Sequence, residues 1–264
     1  MFYNFLWQFL FFSSLVLAGL SSSSVWASEH CLTNKQRLAK VTEWAMVAKV
    51  IDGDTVYLKD GRKIRLIGIN TPELGRQGKP SQPYARQAYK VLNTLLGYNK
   101  KIGLTYDQDK KDRYKRLLAY VNLDDGQSVE QLLLAKGLAH SIVVPPNDKR
   151  INCYRAIEKS AKNSKLGVWN LPENQWFDAH KLPLKSKGFR YVRGTISGYS
   201  ESRKSIYLKL TPKLSIRIAK KDKRYFSNSK LKRLVGHFVS LRGWVSTYKG
   251  RQSIHVRSEH DLEF

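Results

Sequence analysis

The segments Val50-Ile-Asp-Gly-Asp-Thr-Val56 and Arg65-Leu-Ile-Gly-Ile-Asn-Thr-Pro-Glu73 decide the fold. Both are rich in β-branched residues and alternate between apolar and polar positions, which is typical of strands. Asp60-Gly61 lies between them and favours a two-residue hairpin turn. In that register Val56 lies opposite Arg65, so Asp54 and Arg65 are diagonal neighbours on one face, about 7–8 Å apart. The sequence therefore predicts a hairpin that brings a carboxylate close to a guanidinium.

Oxygen donors and a second arginine complete the pattern. Asn70, Thr71 and Glu73 follow the second strand, and Arg116 comes later in the chain. Carboxylate and carbonyl oxygens suit a hard divalent cation such as calcium, and a further carboxylate can activate a water molecule. Two arginines suit the charge that develops on a phosphate under attack. The residues predict a site for metal-assisted phosphodiester hydrolysis, although Asp-Gly-Asp is also a common turn and Thr-Pro-Glu a common helix start.

Five motifs, in order and spacing, resemble the staphylococcal nuclease (thermonuclease) family from about Val47 to Trp169. They are Ile51–Val56, Arg65–Glu73, Arg116–Tyr120, Leu134–Ala139 and Lys165–Trp169. The resemblance implies a mainly β fold with α-helices, namely an oligonucleotide-binding (OB) barrel of five strands with three helices. It also implies cleavage of DNA and RNA that leaves 3′-phosphates.

The resemblance implies a role for each matching residue. Asp54 is expected to be a carboxylate ligand of one calcium ion, and Thr71 to give its backbone carbonyl to the same ion. Glu73 is expected to hold or activate the attacking water. Arg65 and Arg116 are expected to bind the phosphate and stabilise the transition state. These three are the predicted catalytic residues.

The remaining site positions include departures from the family. Arg113 and Tyr114 match positions that contact a neighbouring phosphate. Asn70 stands where the family has a second carboxylate ligand, so the predicted calcium affinity is lower. Lys115 replaces a glycine and is expected to alter that loop or add a phosphate contact. The tyrosines that flank the base in the type member fall within residues 141–145 and are absent.

Charge identifies the partner class. The chain has 264 residues, 47 of them basic and 21 acidic, and a formal charge of +26. Such an excess indicates a polyanion, either nucleic acid or an anionic surface; a generally basic, soluble protein is the alternative. Two cysteines without a histidine at metal spacing argue against zinc.

The termini predict the compartment. Residues 1–27 carry an apolar block followed by small residues, which indicates a signal peptide cut after Ala27. An uncleaved anchor is the alternative, because no positive residue precedes the block. Cleavage would leave an exported protein, periplasmic or extracellular, with no membrane span. Export makes a Cys31–Cys153 disulfide plausible, with two free thiols as the alternative.

The rest of the chain divides into an N-terminal arm (28–44), a nuclease-like domain (45–169), a linker (170–187) and a smaller OB-like domain (188–264). The tail alternates as five strands, with a basic, predicted helical segment at 220–235. Residues 187–264 hold 19 basic and 5 acidic residues, a net of +14. Aromatic residues interleave with these cations: Tyr199, Tyr207, Tyr225, Trp244 and Tyr248. OB barrels hold single strands on such platforms, although these aromatics would also suit a core.

Three functions compete. The first is an exported calcium-dependent nuclease that acts on DNA and RNA and prefers single strands. The second is a non-catalytic nucleic-acid-binding protein on a nuclease-like scaffold, and the third is a structural cell-surface protein. Glu73, Arg65 and Arg116 favour the first, since a pure binder has no use for a water-activating carboxylate. No protein partner is inferred.

Overall fold

The computed structural model describes residues 31–226 and 231–264. The predicted signal peptide, residues 1–27, lies outside the described residues. In the described ranges no helix has both the length and the apolar character that a membrane crossing requires.

The first unit is a closed barrel flanked by helices. Its strands are β1 (Glu43–Asp52), β2 (Thr55–Leu58), β3 (Lys63–Leu66), β4 (Ile69–Asn70), β5 (Lys101–Thr105), β6 (Leu117–Asn122) and β7 (His140–Ser141). Its helices are α1 (Asn34–Leu38), α2 (Ala85–Leu96), α3 (Val129–Ala135) and α4 (Ile151–Asn163). The barrel order is β1-β2-β3-β6-β5, with β3 and β6 parallel, and β4 pairs with β7 outside it. This confirms the predicted five-stranded barrel with three helices; the short α1 in the N-terminal arm is additional.

The hairpin between β2 and β3 differs by one residue from the predicted register. Thr55, and not Val56, lies opposite Arg65. The Leu58 N–H donates to the Arg62 carbonyl at 2.9 Å, so the loop has three residues and not the predicted two. Asp54 still reaches Arg65, because it lies in the turn between β1 and β2, where the strand pleat does not dictate its direction.

Gly53 lets that turn pack tightly. A Cβ at this position would lie 2.7 Å from both the Ala88 Cβ on α2 and the Thr71 Oγ1. No side chain fits at such distances. The glycine therefore allows the turn that carries Asp52 and Asp54 to lie directly against α2 and the residues that follow β4.

The second unit repeats the barrel order. Its strands are β8 (Trp176–Asp178), β9 (Gly188–Thr195), β10 (Gly198–Glu201), β11 (Ser205–Thr211), β12 (Leu214–Ala219), β13 (Phe238–Tyr248), β14 (Arg251–His255) and β15 (Leu262–Glu263). Their order is β10-β11-β12-β14-β13-β9-β8, with β12 and β14 parallel and β15 paired to β13. Only two residues separate β9 from β10, so these two strands act as one bent strand. The strand order repeats that of the first barrel, within one eight-stranded sheet, and the predicted second β-domain is therefore present.

Two segments of this unit differ from the predictions. The predicted linker, residues 170–187, contains β8, which pairs in parallel with β9, while Ala179 and Leu182 are buried in the second core. The basic segment at 220–235 has only short 3-10 turns, Lys220–Tyr225 and Lys232–Leu234, in its described part. Closely spaced like charges disfavour a regular helix there.

The two barrels meet through a buried aromatic cluster. Trp169 and Tyr191 are both fully buried, with ring centroids 5.4 Å apart. The Tyr191 hydroxyl lies 2.9 Å from Nδ1 of His140 on β7. Lys162 lies 4.4 Å from the centre of the Tyr191 ring. Residues from α4 and β7 of the first unit therefore pack against β9 of the second.

Buried charges cross the same interface. Glu158 on α4 pairs with Arg242 on β13, and Arg155 pairs with Asp261 at 2.8 Å. Glu158 also accepts the Ser141 N–H at 2.6 Å. Because an unpaired buried charge is costly, these contacts hold the barrels in one arrangement. The sequence did not indicate this interface.

A disulfide joins Cys31 to Cys153 across a sequence separation of 122 residues. It attaches the N-terminal arm to α4, the helix that carries Arg155 and Glu158. A cross-link that closes so long a loop lowers the conformational entropy of the unfolded chain. Such a disulfide typically raises the free energy of unfolding by about 2–4 kcal/mol.

Replacing Glu158 by Gln tests the interface. Burial alone would raise the pKa of Glu158, but the guanidinium groups of Arg242 and Arg155 outweigh it and lower this pKa to about 2. A glutamate in the unfolded chain has a pKa of about 4.3. Ionised Glu158 therefore stabilises the fold fully above about pH 4.5, and this contribution is lost as the pH falls through the folded pKa. We expect Glu158→Gln to lower the free energy of unfolding by about 3 kcal/mol at neutral pH.

Urea unfolding at a series of acidic to neutral pH values measures this difference. The natural chain and the variant should converge as the pH falls, since both then carry a neutral side chain. Arg242→Ala should show the same loss of pH dependence. A difference that stays constant across the series would contradict a buried ion pair.

Candidate active site

The Asp54 carboxylate is buried and held on several sides. It is 5% exposed. Its Oδ2 accepts the Thr71 N–H at 3.0 Å and the Thr71 hydroxyl at 3.1 Å, and lies 3.0 Å from Nη2 of Arg65. The Thr55 hydroxyl donates to Oδ1 at 3.0 Å. These contacts join β2, β3 and the end of β4 at a single carboxylate.

Asn70 lies beside this carboxylate, and its amide faces two other groups. Its Oδ1 accepts from Nη2 of Arg65 at 3.3 Å, and its Nδ2 donates to the Thr71 carbonyl at 3.4 Å. β4 pairs with β7, which places Asn70 opposite His140. To offer Oδ1 to a cation beside the Thr71 carbonyl, the Asn70 amide has to turn.

Asp52 is a second carboxylate that the sequence analysis missed. Its Oδ1 accepts the Asp54 N–H at 3.2 Å, and its Oδ2 lies 3.7 Å from Nη2 of Arg76. Burial first, and then the Asp54 charge, raise the pKa of Asp52 to about 6. The signal was present in Asp-Gly-Asp, since a tight turn through glycine keeps its two carboxylates close together.

The donors present fit a hard divalent cation. In the part of the chain that the structure describes, no group of three or more His, Cys, Asp or Glu side chains converges on a metal position. Asp54, the Thr71 carbonyl and Asp52 instead offer oxygen alone, which suits calcium or magnesium and not the softer metals. Asn70 can add a neutral oxygen. So few protein ligands leave coordination positions for water and substrate.

Glu73 lies at a cavity and is held through its backbone. Gln82 accepts the Glu73 N–H at 2.9 Å through Oε1, and its own N–H donates to the Glu73 carbonyl at 3.0 Å. The Glu73 side chain is exposed and lines a cavity of about 480 Å³ together with Asp52 and Arg116. Sequence reasoning missed Gln82, which carries no motif.

Arg116 reaches the same cavity from the loop before β6. Its Nε and Nη2 each lie 2.7 Å from Oδ2 of Asp112, and the Oδ1 of Asp112 accepts the backbone N–H groups of Tyr114 and Arg116. Asp112 therefore shapes the loop and orients the arginine. Lys115 has φ 63°, in the left-handed region that favours glycine. The conformation explains why the family has glycine there.

The structure brings some predicted residues together and separates others. Glu73 and Arg116 line the cavity, while Asp54, Arg65, Asn70 and Thr71 form a bonded group next to it. Arg113, Tyr114 and Lys115 are exposed on the loop and do not line the cavity. Nη2 of Arg113 donates to the Tyr114 hydroxyl at 2.6 Å, so these two residues form a cationic and aromatic rim.

Comparison with known proteins identifies the family of this chain. The family described as "Staphylococcal nuclease homologue" matches residues 63–171. The thermonuclease of Staphylococcus intermedius is 39% identical over 127 residues, which cover 47% of this chain and 74% of that protein. The chain belongs to the staphylococcal nuclease family. This membership places it among the nuclease hydrolases.

Two further relatives extend the comparison. Endonuclease YncB of Bacillus subtilis is 39% identical over 142 residues, covering 52% of this chain and 64% of that protein. An uncharacterized endonuclease of Escherichia coli O157:H7 is 31% identical over 140 residues, covering 51% and 84%. Each match spans about half of this staphylococcal nuclease homologue, and the family match ends before β8.

Lys115→Gly should stabilise the protein. A side chain in the left-handed region costs about 1–2 kcal/mol, which exceeds the backbone entropy that glycine adds to the unfolded chain. We expect the free energy of unfolding to rise by about 0.5–1 kcal/mol, measured by urea titration.

Lys111→Gly is the matched control. Lys111 is an exposed lysine in the same loop, and its φ is not positive. Its replacement should therefore lower the free energy of unfolding. Equal losses for both variants would show that the Lys115 conformation carries no strain.

Proposed function

We propose that this protein is an exported, calcium-dependent nuclease that hydrolyses phosphodiester bonds of DNA and RNA and leaves 3′-phosphates. The observation that carries the proposal is the shared cavity, which the Glu73 carboxylate and the Arg116 guanidinium line together with Asp52. Asp52 Oδ1 accepts the N–H of Asp54, the carboxylate that holds Arg65 and Thr71. A water-activating base, two cations for the phosphate and an oxygen-rich metal site are the parts that the reaction needs.

Asp54 and the Thr71 carbonyl would hold the calcium ion, with Asp52 close by and Asn70 as a neutral donor. When bound, the ion supplies positive charge that polarises the phosphoryl oxygens and lowers the pKa of a bound water. Calcium accepts six to eight oxygen ligands. Because these protein donors fill only some of the positions, water and substrate would fill the rest.

Glu73 acts on the attacking water. Its carboxylate takes a proton from the water as the water oxygen bonds to phosphorus. The bond from phosphorus to the 5′ oxygen then breaks, the 5′ oxygen gains a proton from solvent, and the phosphate stays on the 3′ oxygen. In the described ranges the exposed Glu73 carboxylate forms no ion pair, so it is free to face the substrate.

Arg65 and Arg116 stabilise the charge on the phosphate. Both have fixed positions before substrate arrives, Arg65 through Asp54 at 3.0 Å and Arg116 through Asp112 at 2.7 Å. Pre-oriented cations cost no reorganisation during the reaction. These residues address phosphate and not a base, which supports activity on both DNA and RNA.

The second barrel supports binding of single strands. Lys249 lies 5.5 Å from the ring of Tyr248, which is 75% exposed. Lys232 lies 5.4 Å from the Tyr199 ring and Arg224 4.9 Å from the Tyr225 ring, although both of these rings are half-buried against the second core. Bases stack on exposed rings, and cations track the phosphates. The net charge of +14 over residues 187–264 favours the same ligand.

The disulfide supports export. Structural disulfides persist in oxidising compartments and are rare in the cytosol. Together with the signal-peptide pattern of residues 1–27, the Cys31–Cys153 bond favours a periplasmic or extracellular protein.

One observation favours the alternative, a non-catalytic nucleic-acid-binding protein. The Asn70 amide donates to the Thr71 carbonyl, an atom that the metal would need. If this contact persisted in solution, metal binding would fail while the basic surface remained. The digestion experiment below separates the two functions.

Glu73→Gln and Arg116→Ala should each lower turnover by about 100-fold or more, because the first removes the base and the second a charge stabiliser. Plasmid and RNA digestion with and without calcium measures this. Glu201→Gln and Arg86→Ala, two exposed residues away from the cavity, are the matched controls. Variants of Glu73 and Arg116 that cleave like the natural chain would refute the assignment.

Asn70→Asp should tighten calcium binding by about 10-fold, since ligand charge count sets affinity in oxygen sites. The gain should be clearest without substrate, whose phosphate otherwise supplies charge. Calorimetry on both proteins measures it, with Gln87→Glu on the exposed face of α2 as a control for added charge. Equal affinities would mean that Asn70 is not a ligand. Activity that appears only in Asn70→Asp would favour the non-catalytic function for the natural chain.

A further inference from the structure

A second cavity, of about 310 Å³, lies between the two barrels. It shares Glu73 and Gln82 with the catalytic cavity, so the two spaces meet at the predicted base. A chain that passes through the catalytic cavity can continue into this inter-barrel cleft. The volume lies at the lower end of the range for ligand pockets, about 300–1,000 Å³.

The wall from the second barrel carries cations. Lys187 and Arg190 line the cleft. Arg190 makes one side-chain hydrogen bond in the described ranges, to the adjacent Phe189 carbonyl at 2.8 Å, and no carboxylate lies within ion-pair distance of it there. Most of its donors are therefore available to a ligand. By contrast, Arg155 and Arg242 elsewhere in the interface form ion pairs with buried carboxylates.

The other charged groups around the cleft are few. Glu173 lines it, and Glu73 lies at its junction with the catalytic cavity. His140 also lines it, with its Nδ1 2.9 Å from the Tyr191 hydroxyl. Neither carboxylate lies within ion-pair distance of Arg190 or Lys187 in the described ranges, so the donors of this cationic wall remain available to a bound anion.

An aromatic platform stands beside the cations. Trp244 is 37% exposed, although it lies within the long strand β13. It pairs with Phe189 across the β9–β13 ladder, and the two ring centroids are 4.7 Å apart, edge to face. Phe189 in turn packs on the buried Tyr191 at 5.6 Å. The indole is therefore supported from behind by the interface cluster while part of it remains open to the cleft.

The width of the cleft is fixed by contacts already described. The Glu158–Arg242 ion pair and the His140–Tyr191 contact join its two walls. A cleft with rigid walls binds without ordering them first, which favours affinity.

We propose that the inter-barrel cleft is a nucleotide subsite: it binds the nucleotide that adjoins the cleaved phosphodiester, with its base on Trp244 and its phosphate on Arg190 and Lys187. The identity of the ligand rests on the proposed nuclease function. A guanidinium binds phosphate through paired N–H donors, and base stacking on an aromatic ring is typical of single-strand binding. With this subsite, a bound strand would contact both barrels without interruption, from the catalytic cavity into the cleft.

Binding of a single-stranded DNA tetranucleotide tests the subsite. The full chain carries Glu73→Gln so that cleavage does not interfere, and calcium is present. The cleft variant is Arg190→Ala with Trp244→Ala, and fluorescence anisotropy of the labelled tetranucleotide gives the dissociation constant. Loss of one stacking platform and one phosphate contact should weaken binding by about 10-fold or more.

The matched control is Tyr98→Ala with Lys59→Ala, which also removes an exposed aromatic ring and the cation beside it. Tyr98 is 74% exposed, Lys59 lies 4.9 Å from the centre of its ring, and neither residue lines the cleft or the catalytic cavity. The control should bind the tetranucleotide within about 2-fold of the parent, because neither residue belongs to the proposed subsite. Trp244→Phe keeps an aromatic ring and should retain most of the affinity, and thermal unfolding should be similar for all variants.

The outcomes separate the subsite from the proposed function. Equal binding by the cleft variant and the parent would overturn the subsite, as would equal losses in the cleft variant and the control, or a parent that does not bind. Failure of the natural chain to cleave plasmid would instead overturn the proposed function, while the binding comparison would still report on the cleft.

Discussion

The contact between the Asp54 carboxylate, Arg65 and Thr71 is the constraint on which the site depends. One buried carboxylate joins a turn after β1, a strand and the residues that follow β4. A carboxylate in this position is satisfied by fixed donors and not by water, so moving any of the three elements would leave a buried charge without a partner. Gly53 makes the arrangement possible, since any side chain there would meet Thr71 and α2.

The second barrel supports this site from behind. Its Tyr191 contacts His140, and Glu158, which pairs with Arg242, also accepts the Ser141 N–H. His140 and Ser141 form the short strand that pairs with Ile69 and Asn70. The interface between the barrels is thus one strand removed from the predicted metal ligands, and the second unit is a structural neighbour of the site as well as a basic surface.

Sequence reasoning succeeded where local patterns determine the structure. Alternation and turn residues predicted the barrel strands. Asp54 and Arg65 are close together as predicted, but Asp54 reaches Arg65 from the turn after β1 and not from a strand position. The register was wrong by one residue, because Asp60-Gly61 also fits a three-residue loop. The linker prediction failed because β8 has only three residues and pairs with a strand that follows it at a distance.

The interface between the barrels could not be predicted from the sequence, for a different reason. Glu158 and Arg242 are charged residues that resemble solvent-facing positions, and only the folded arrangement shows that both are buried. Asp112 and Gln82 were missed because they orient site residues without belonging to a reactive group. The unusual conformation of Lys115, by contrast, was foreshadowed by the glycine that the family has at this position.

The pairing of Arg116 with Asp112 has a consequence for the entropy of substrate binding. A long side chain that is free in solution loses conformational freedom when it grips a ligand, at about 0.5–1.5 kcal/mol for each such side chain. Arg116 loses that freedom during folding, because two of its nitrogens already contact Asp112. Its remaining N–H groups meet the phosphate from a side chain that no longer has to be ordered.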